Sequence, residues 1–214
     1  MENPYRRLPE RAFWKKAISD KSHFDISELY KKKYTISATD RLVTAGSCFA
    51  QHIAKKLHAS GYNYCDYEQR PGYFPKAQCQ AYNYGVYSAR YCNIYTVRQL
   101  RQTIERAFGL RPYKNLCWDK KGGFVDPFRP VLEPEPFGSV AEMNASREGH
   151  YRAVRRVFSE SDVFIFTMGL TEAWIDADTG DVYPLCPGTQ GGTFDEAKHK
   201  FHNFGFVEIV DDLN

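Results

Sequence analysis

The sequence predicts an α/β fold with a mainly parallel central sheet, and three observations carry that expectation. Short apolar runs alternate along the chain with stretches of helical periodicity. The run from Asp162 to Met168 is apolar on both faces, as a strand buried in a parallel sheet must be. The run from Arg41 to Gly46 is followed at once by a helical pattern, the order of a strand–turn–helix unit.

Taken in order, residues 1–40 are polar, basic and aromatic by turns and read as an arm, with a short helix near Phe13–Ile18. The main domain is expected over residues 41–214. After the first strand, Phe49, Ala50, Ile53, Ala54 and Leu57 recur at helical spacing, and Gly61 stops that helix. Residues 62–95 hold many tyrosines together with Pro71, Gly72, Pro75 and Gly85, the composition of a long ordered loop region around a pocket.

Thr96 and Gln99 form a capping box for a second helix, whose buried stripe is Val97, Leu100, Ile104 and Phe108. Leu116–Trp118 and Phe124–Val125 flank a Lys-Lys-Gly-Gly turn and predict a small hairpin. A proline-rich connection from Asp126 to Pro136 follows. Ser139 and Glu142 cap a third helix with Met143, Tyr151, Val154 and Phe158 on its apolar face. The strand at 162–168 ends at Gly169. Trp174–Ile175 and Val182–Tyr183 bracket Asp178-Thr-Gly180 as a second hairpin, and the chain closes in loops and a short amphipathic segment, Phe206 to Leu213.

With 214 residues and 43% hydrophobic side chains, the chain can bury the core of one ordinary soluble domain. A net charge of +3 is too small to argue for nucleic acid. No apolar stretch approaches the roughly 20 residues of a membrane span. The start MENPYRRLPERAFW has no apolar signal core, so a cytoplasmic location is expected. The six cysteines form no C-x-x-C pair, and in that compartment they are expected as reduced thiols. Cys186, His199 and His202 fit no zinc template, and neither a metal nor a cofactor is expected.

In a parallel sheet, sites form at the carboxyl ends of strands. Two motifs fall there, Gly46-Ser47-Cys48 and Gly169-Leu170-Thr171-Glu172. Ser47 and Cys48 both lie on a turn entering a helix, where unpaired backbone N–H groups and the helix dipole favour a thiolate or an oxyanion. The residues alone also fit a plainer reading, with Ser47 as a helix cap and Cys48 as a small buried side chain.

The blocks Ala45-Gly-Ser-Cys-Phe-Ala50, Asn93–Leu100, Asp126-Pro-Phe-Arg-Pro130, Thr167–Trp174 and Phe201-His-Asn203 occur in the order expected of the GSCFA family, which this chain resembles from about residue 40 onward. That family is similar to the SGNH (GDSL-like) hydrolases, so the resemblance implies a three-layer, flavodoxin-like sheet fold. It implies an esterase or acyltransferase acting on an ester or a carbohydrate hydroxyl. Aligning Gly46 with the Gly of the family's nucleophile turn makes Cys48 the nucleophile; sliding by one makes it Ser47. Gly169, Thr171 and Glu172 then stand where the oxyanion block stands, with Thr171 in place of its Asn, and Gly85 or Asn93 supplies the second block.

The resemblance also implies a late base. No Asp-x-x-His occurs, and His202 is the candidate that remains. The chain therefore reads as short at its carboxyl end, which implies an open strand edge and either a homodimer or marginal solubility. A non-catalytic carbohydrate-binding or interaction module on the same fold is the competing expectation, suited to the aromatic loops at 62–95.

Overall fold

The computed structural model describes residues 3–27, 29–113 and 116–214. The chain forms two compact units, Met1–Ile36 and Ser37–Asn214. In the first, single turns of 3-10 helix at Pro4–Arg7 and Glu10–Ala12 precede a wide π-type turn at Lys15–Ser19. The Asp20 N–H closes that turn on the Lys15 carbonyl at 2.9 Å, so the expected short helix takes the wider form.

The second unit is built around β1 (Leu42–Gly46), all five residues of which are buried. It pairs in parallel with β4 (Val163–Thr167), in register from Leu42 opposite Val163 to Gly46 opposite Thr167. The two strands predicted to run parallel do so, and their carboxyl ends share one edge. On its other side β1 is closed by irregular chain rather than a full strand. Tyr64 bridges Leu42, and the Thr44 N–H donates to Ser88 Oγ at 2.9 Å.

The expectation of a central position for the 162–168 strand needs correction. All five residues of β4 are only half-buried, and its sole ladder among the described residues is with β1. An alternation-free apolar run reports cover on both faces, not a partner on both edges. Here Phe164 and Phe166 face an apolar groove of about 560 Å³ shared with Leu100, Ile104, Leu110 and Phe158. What is shown is a mixed α/β fold with a small parallel sheet.

Helix α1 (Cys48–Ala59) leaves the end of β1. Its buried residues are Ala50 and Ala54, whose small side chains let it lie close on β1 and β4. Phe49, expected on the buried stripe, is 63% exposed. Helix α2 (Val97–Ala107) is capped by Thr96, whose hydroxyl accepts from the Gln99 N–H at 3.1 Å. Val97 and Leu100 are buried as expected, whereas Phe108 falls just past the helix end and is largely exposed. Helix α3 (Val140–Glu160) begins at Ser139, which accepts from the Glu142 N–H, while the Glu142 carboxylate reaches back to the Gly138 N–H. Met143, Tyr151 and Val154 are buried on α3 and join Val43, Ala45, Tyr87, Tyr91 and Ile94 in the core, Met143 in a smaller satellite cluster.

Both predicted hairpins form. β2 (Trp118–Lys120) pairs with β3 (Gly123–Val125), and β5 (Glu172–Asp176) pairs with β6 (Val182–Tyr183). A strand that the sequence does not announce, β7 (His199–Asn203), adds to the other edge of β5 in antiparallel register. The chain ends in helix α4 (Phe206–Leu213), packed on α2.

One further feature shapes the core. The Asp126–Arg129 block is not at a surface site; it is a buried charge cluster. Asp126 accepts from Arg129 at 3.0 Å and from Arg147 of α3 at 2.9 Å, and Arg147 also donates to the Tyr113 and Leu116 carbonyls. Beside it, Glu68 accepts from the Arg90 N–H and meets His150 Nδ1 at 2.6 Å. A buried charge is tolerated only where partners close its hydrogen bonds, and here they fasten the 62–95 loops onto α3.

Candidate active site

The site starts from the last residue of β1. Gly46 takes φ +144°, and a side chain there would strike the Thr167 hydroxyl at the end of β4. Only glycine brings the two strand ends this close. The next residue, Ser47, occupies the N-cap position of α1 but makes no side-chain capping bond. Its hydroxyl lies instead against the second strand-end motif: a methyl group at Gly169 would stand 3.4 Å from Ser47 Oγ and 3.6 Å from the Tyr95 carbonyl oxygen. The two motifs singled out in the sequence therefore meet.

Cys48 is the first residue of α1 and is exposed. Of the plainer alternatives, neither describes this turn: the serine does not cap, and the cysteine is not buried. The contrast is Cys92, fully buried, where loss of hydration pushes the thiol up to about 12 against the pull of Arg129. The first N–H groups of a helix have no intrahelical acceptor, so Cys48 sits where backbone donors are available to an anion.

A hydrogen-bonded loop braces the turn. The Ile94 N–H donates to the Gly46 carbonyl at 2.9 Å. The Gly169 and Leu170 N–H groups both donate to the Tyr95 carbonyl, at 3.2 and 2.9 Å. Asn93 is held at both ends of its amide: the Tyr87 hydroxyl donates to Oδ1 at 2.6 Å, and Nδ2 donates to the Tyr95 hydroxyl at 2.9 Å. Gln51 of α1 donates to the Tyr87 oxygen at 2.9 Å. Gln99 accepts from the Tyr95 N–H and donates to the Asn93 carbonyl, so the capping residue of α2 also sets this loop. Burial is the main cause that raises Tyr87 to about 12; the Gln51 bond opposes it, and the nearby Cys92, Cys48 and Tyr95 add to it. Tyr87 is thus a neutral hydroxyl that fixes the Asn93 amide.

The remaining candidates are distributed unevenly. Thr171 donates its hydroxyl proton to Asn203 Oδ1 at 2.7 Å, so in this arrangement that proton is committed. Glu172 opens β5 and is exposed beside it. His202, on β7, meets Glu208 of α4 at 2.8 Å and packs edge-on against Phe204. The Gly205 N–H and His202 hold the Glu208 carboxylate below the usual range. Among the described residues His202 makes no hydrogen bond to Ser47 or Cys48. Gly85 lines a separate cavity with Asp66, Arg70 and Cys79, and the structure does not bring it to the Ser47–Cys48 turn. Gln51, Tyr87, Tyr95 and Asn203 escape a motif-based reading. Asn203 carried a signal, as the last residue of a recognisable block; Gln51 and Tyr87 carried none.

Next to Gly169 a cavity of about 340 Å³ opens between the start of α2, residues 168–172, Phe204 and α4. Among the described residues no group of three or more His, Cys, Asp or Glu side chains is placed to hold a metal ion, and no helix is long and apolar enough to cross a membrane. A family model described as "GSCFA family" matches residues 41–214. No curated protein and no solved structure matches the chain.

Proposed function

The chain belongs to the GSCFA family, and from that premise we propose that it is an SGNH-like esterase or acyltransferase whose reactive centre is the Ser47–Cys48 turn. The observation that carries the reading is the exposed Cys48 thiol at a helix start, beside a Ser47 hydroxyl that makes no capping bond and abuts Gly169. In this mechanism the Cys48 thiolate attacks the ester carbonyl. The resulting oxyanion is met by the first N–H groups of α1, with the clamped Asn93 amide alongside. Collapse expels the alcohol, which takes from His202 the proton that the base removed from the Cys48 thiol, and leaves a thioester, which water or an acceptor hydroxyl then resolves. His202, oriented by Glu208, is the base in this scheme.

The test is brief exposure to an acyl-phosphonate probe with peptide mapping, beside p-nitrophenyl ester hydrolysis by Cys48→Ala, Ser47→Ala and His202→Ala. Cys48 is expected to carry the label and Cys92 none. His202→Ala should lower turnover by about 10²-fold or more, the usual scale of lost base catalysis. Labelling and turnover that survive Cys48→Ala but vanish in Ser47→Ala would transfer the nucleophile to Ser47. Turnover unaffected by both would sink the reading. One observation favours a non-catalytic binding module instead: His202 is paired with Glu208 and with neither nucleophile candidate.

A further inference from the structure

The cavity beside Gly169 has a lining that says what it accepts. Val97, Met168, Leu170, Phe204 and Ile209 supply its apolar wall. Arg98, the one cation among the described residues of the lining, is engaged: Nε contacts both oxygens of the buried Asp212 at 2.5 and 2.6 Å, and the guanidinium lies 5.1 Å over the Phe204 ring. Arg101 adds a second donor to Asp212 at 3.1 Å. Arg98 is therefore committed to Asp212, and among the described residues of the wall no other cation is left to select an anionic ligand. Glu172, at the rim, would repel one. The volume lies near the lower end of the range for small-molecule sites, roughly 300–1,000 Å³.

Position supplies the second half of the argument. Gly169 is common to the cavity wall and to the contact with Ser47 Oγ. With no side chain at Gly169, the wall of the cavity and the Ser47 hydroxyl lie on either side of one backbone segment, so the cavity adjoins the nucleophile turn. Exposed apolar residues, Phe49, Met168 and Leu170, surround the same turn. A surface that places large apolar groups around a reactive turn favours a substrate that is apolar next to its reacting carbon.

We infer that this cavity holds the acyl chain of the substrate, and that the chain is an uncharged aliphatic one several carbons long rather than an acetyl group. The inference rests on the ester-cleaving reading of the Ser47–Cys48 turn for its chemistry, but the binding of an aliphatic chain stands on the cavity alone. Burying one methylene favours binding by about fourfold. The specificity constant should therefore climb about two- to fourfold per added methylene from acetate to hexanoate esters.

Two measurements on the full chain separate the possibilities. The first is kcat/KM on p-nitrophenyl acetate, butyrate, hexanoate and octanoate. The second is binding of the uncharged octanamide against acetamide, followed by NMR shifts, which needs no turnover. Each is made on the parent, on Ile209→Asp and Leu170→Asp, which place a charge in the wall, and on Gly169→Val, which puts a side chain between the wall and Ser47. An unchanged thermal transition identifies the variants that remain folded. A chain-length preference that Ile209→Asp and Gly169→Val erase, with octanamide binding weakened at least tenfold in Ile209→Asp, is the expected result. Octanamide binding lost in the wall variants without turnover of any ester would uphold the acyl cavity and overturn the esterase reading. Turnover that favours acetate and ignores Ile209→Asp would overturn the cavity and leave the esterase reading standing. Neither binding nor turnover would overturn both.

Discussion

At the scale of single residues, the 62–95 loop region contains a carboxyl group in an unfavourable state. Asp66 is largely buried, and burial raises its pKa to about 6, with the Glu68 carboxylate adding to the rise and the Glu68 N–H opposing it. Its folded-state pKa is above the unfolded value of about 3.9. The folded protein therefore binds the proton more tightly, and the ionised form carries a penalty. That penalty is absent below about pH 4, grows as pH rises to about 6, and is complete at neutral pH. Asp66→Asn keeps an acceptor for the Glu68 N–H, which now reaches Asp66 Oδ1 at 3.0 Å. It should raise stability at pH 7 by on the order of 1–3 kcal/mol, with the gain vanishing near pH 4. Urea unfolding at the two pH values measures this; equal gains at both would show that the Asp66 pKa is not raised.

At the scale of elements, helix α2 does more for the site than its capping box suggests. Its first turn fixes the Asn93–Tyr95 loop through Gln99 and borders the cavity through Val97 and Arg98. Its middle holds the β5–β6 hairpin. Gln102 donates to the Gly180 carbonyl at 2.7 Å and accepts from the Val182 N–H at 2.9 Å, while Arg106 donates to the buried Asp181. Gln102→Ala leaves the buried Val182 N–H without this partner and returns the carbonyl of the exposed Gly180 to water, at a cost on the order of 1–3 kcal/mol. Because the same helix carries the loop beside Ser47, labelling of Cys48 should change as well. Denaturant unfolding together with the labelling rate checks this, and a stability loss under about 0.5 kcal/mol would mean that water replaces the lost bonds.

At the scale of the whole molecule, stability toward acid follows from the core charge cluster. Arg147 and Arg129 hold the Asp126 carboxyl well below the usual range despite its burial, and His150 and Arg129 bring Glu68 down to about 2. Burial and then Arg129 draw the His150 pKa below its usual value, against the pull of Glu68. Both folded-state carboxyl pKa values lie below their unfolded values of about 4. Their stabilisation is therefore complete above that pH and is lost as pH falls toward 2. The chain should unfold cooperatively between about pH 4 and pH 2. Asp126→Asn should flatten that acid limb and cost about 3–5 kcal/mol at pH 7, because Arg147 stays buried with its charge uncompensated. Circular dichroism against pH for the parent and the variant reads both effects.

Much of this architecture was legible without coordinates. Capping residues Thr96 and Ser139, the helical stripes, two turn-flanked hairpins and the parallel pair of strands are all local patterns, written at spacings of two or three to four residues. So was the juxtaposition of the Gly46 and Gly169 turns, since parallel strands bring their carboxyl ends to one edge. Three things were decided only by the tertiary structure. β7 is polar, rich in His and Lys, and becomes a strand because β5 presents an edge to it, not because of its own propensity. The apolar run of β4 does not reveal that one of its edges lacks a strand partner among the described residues. The Asp126–Arg129 block reads in sequence only as part of a proline-rich connection, because sequence cannot show that Arg147, some 20 residues on, closes its charge inside the core. Local sequence determines which backbone geometry a segment prefers; burial, edge pairing and charge compensation belong to whatever the rest of the chain brings alongside it.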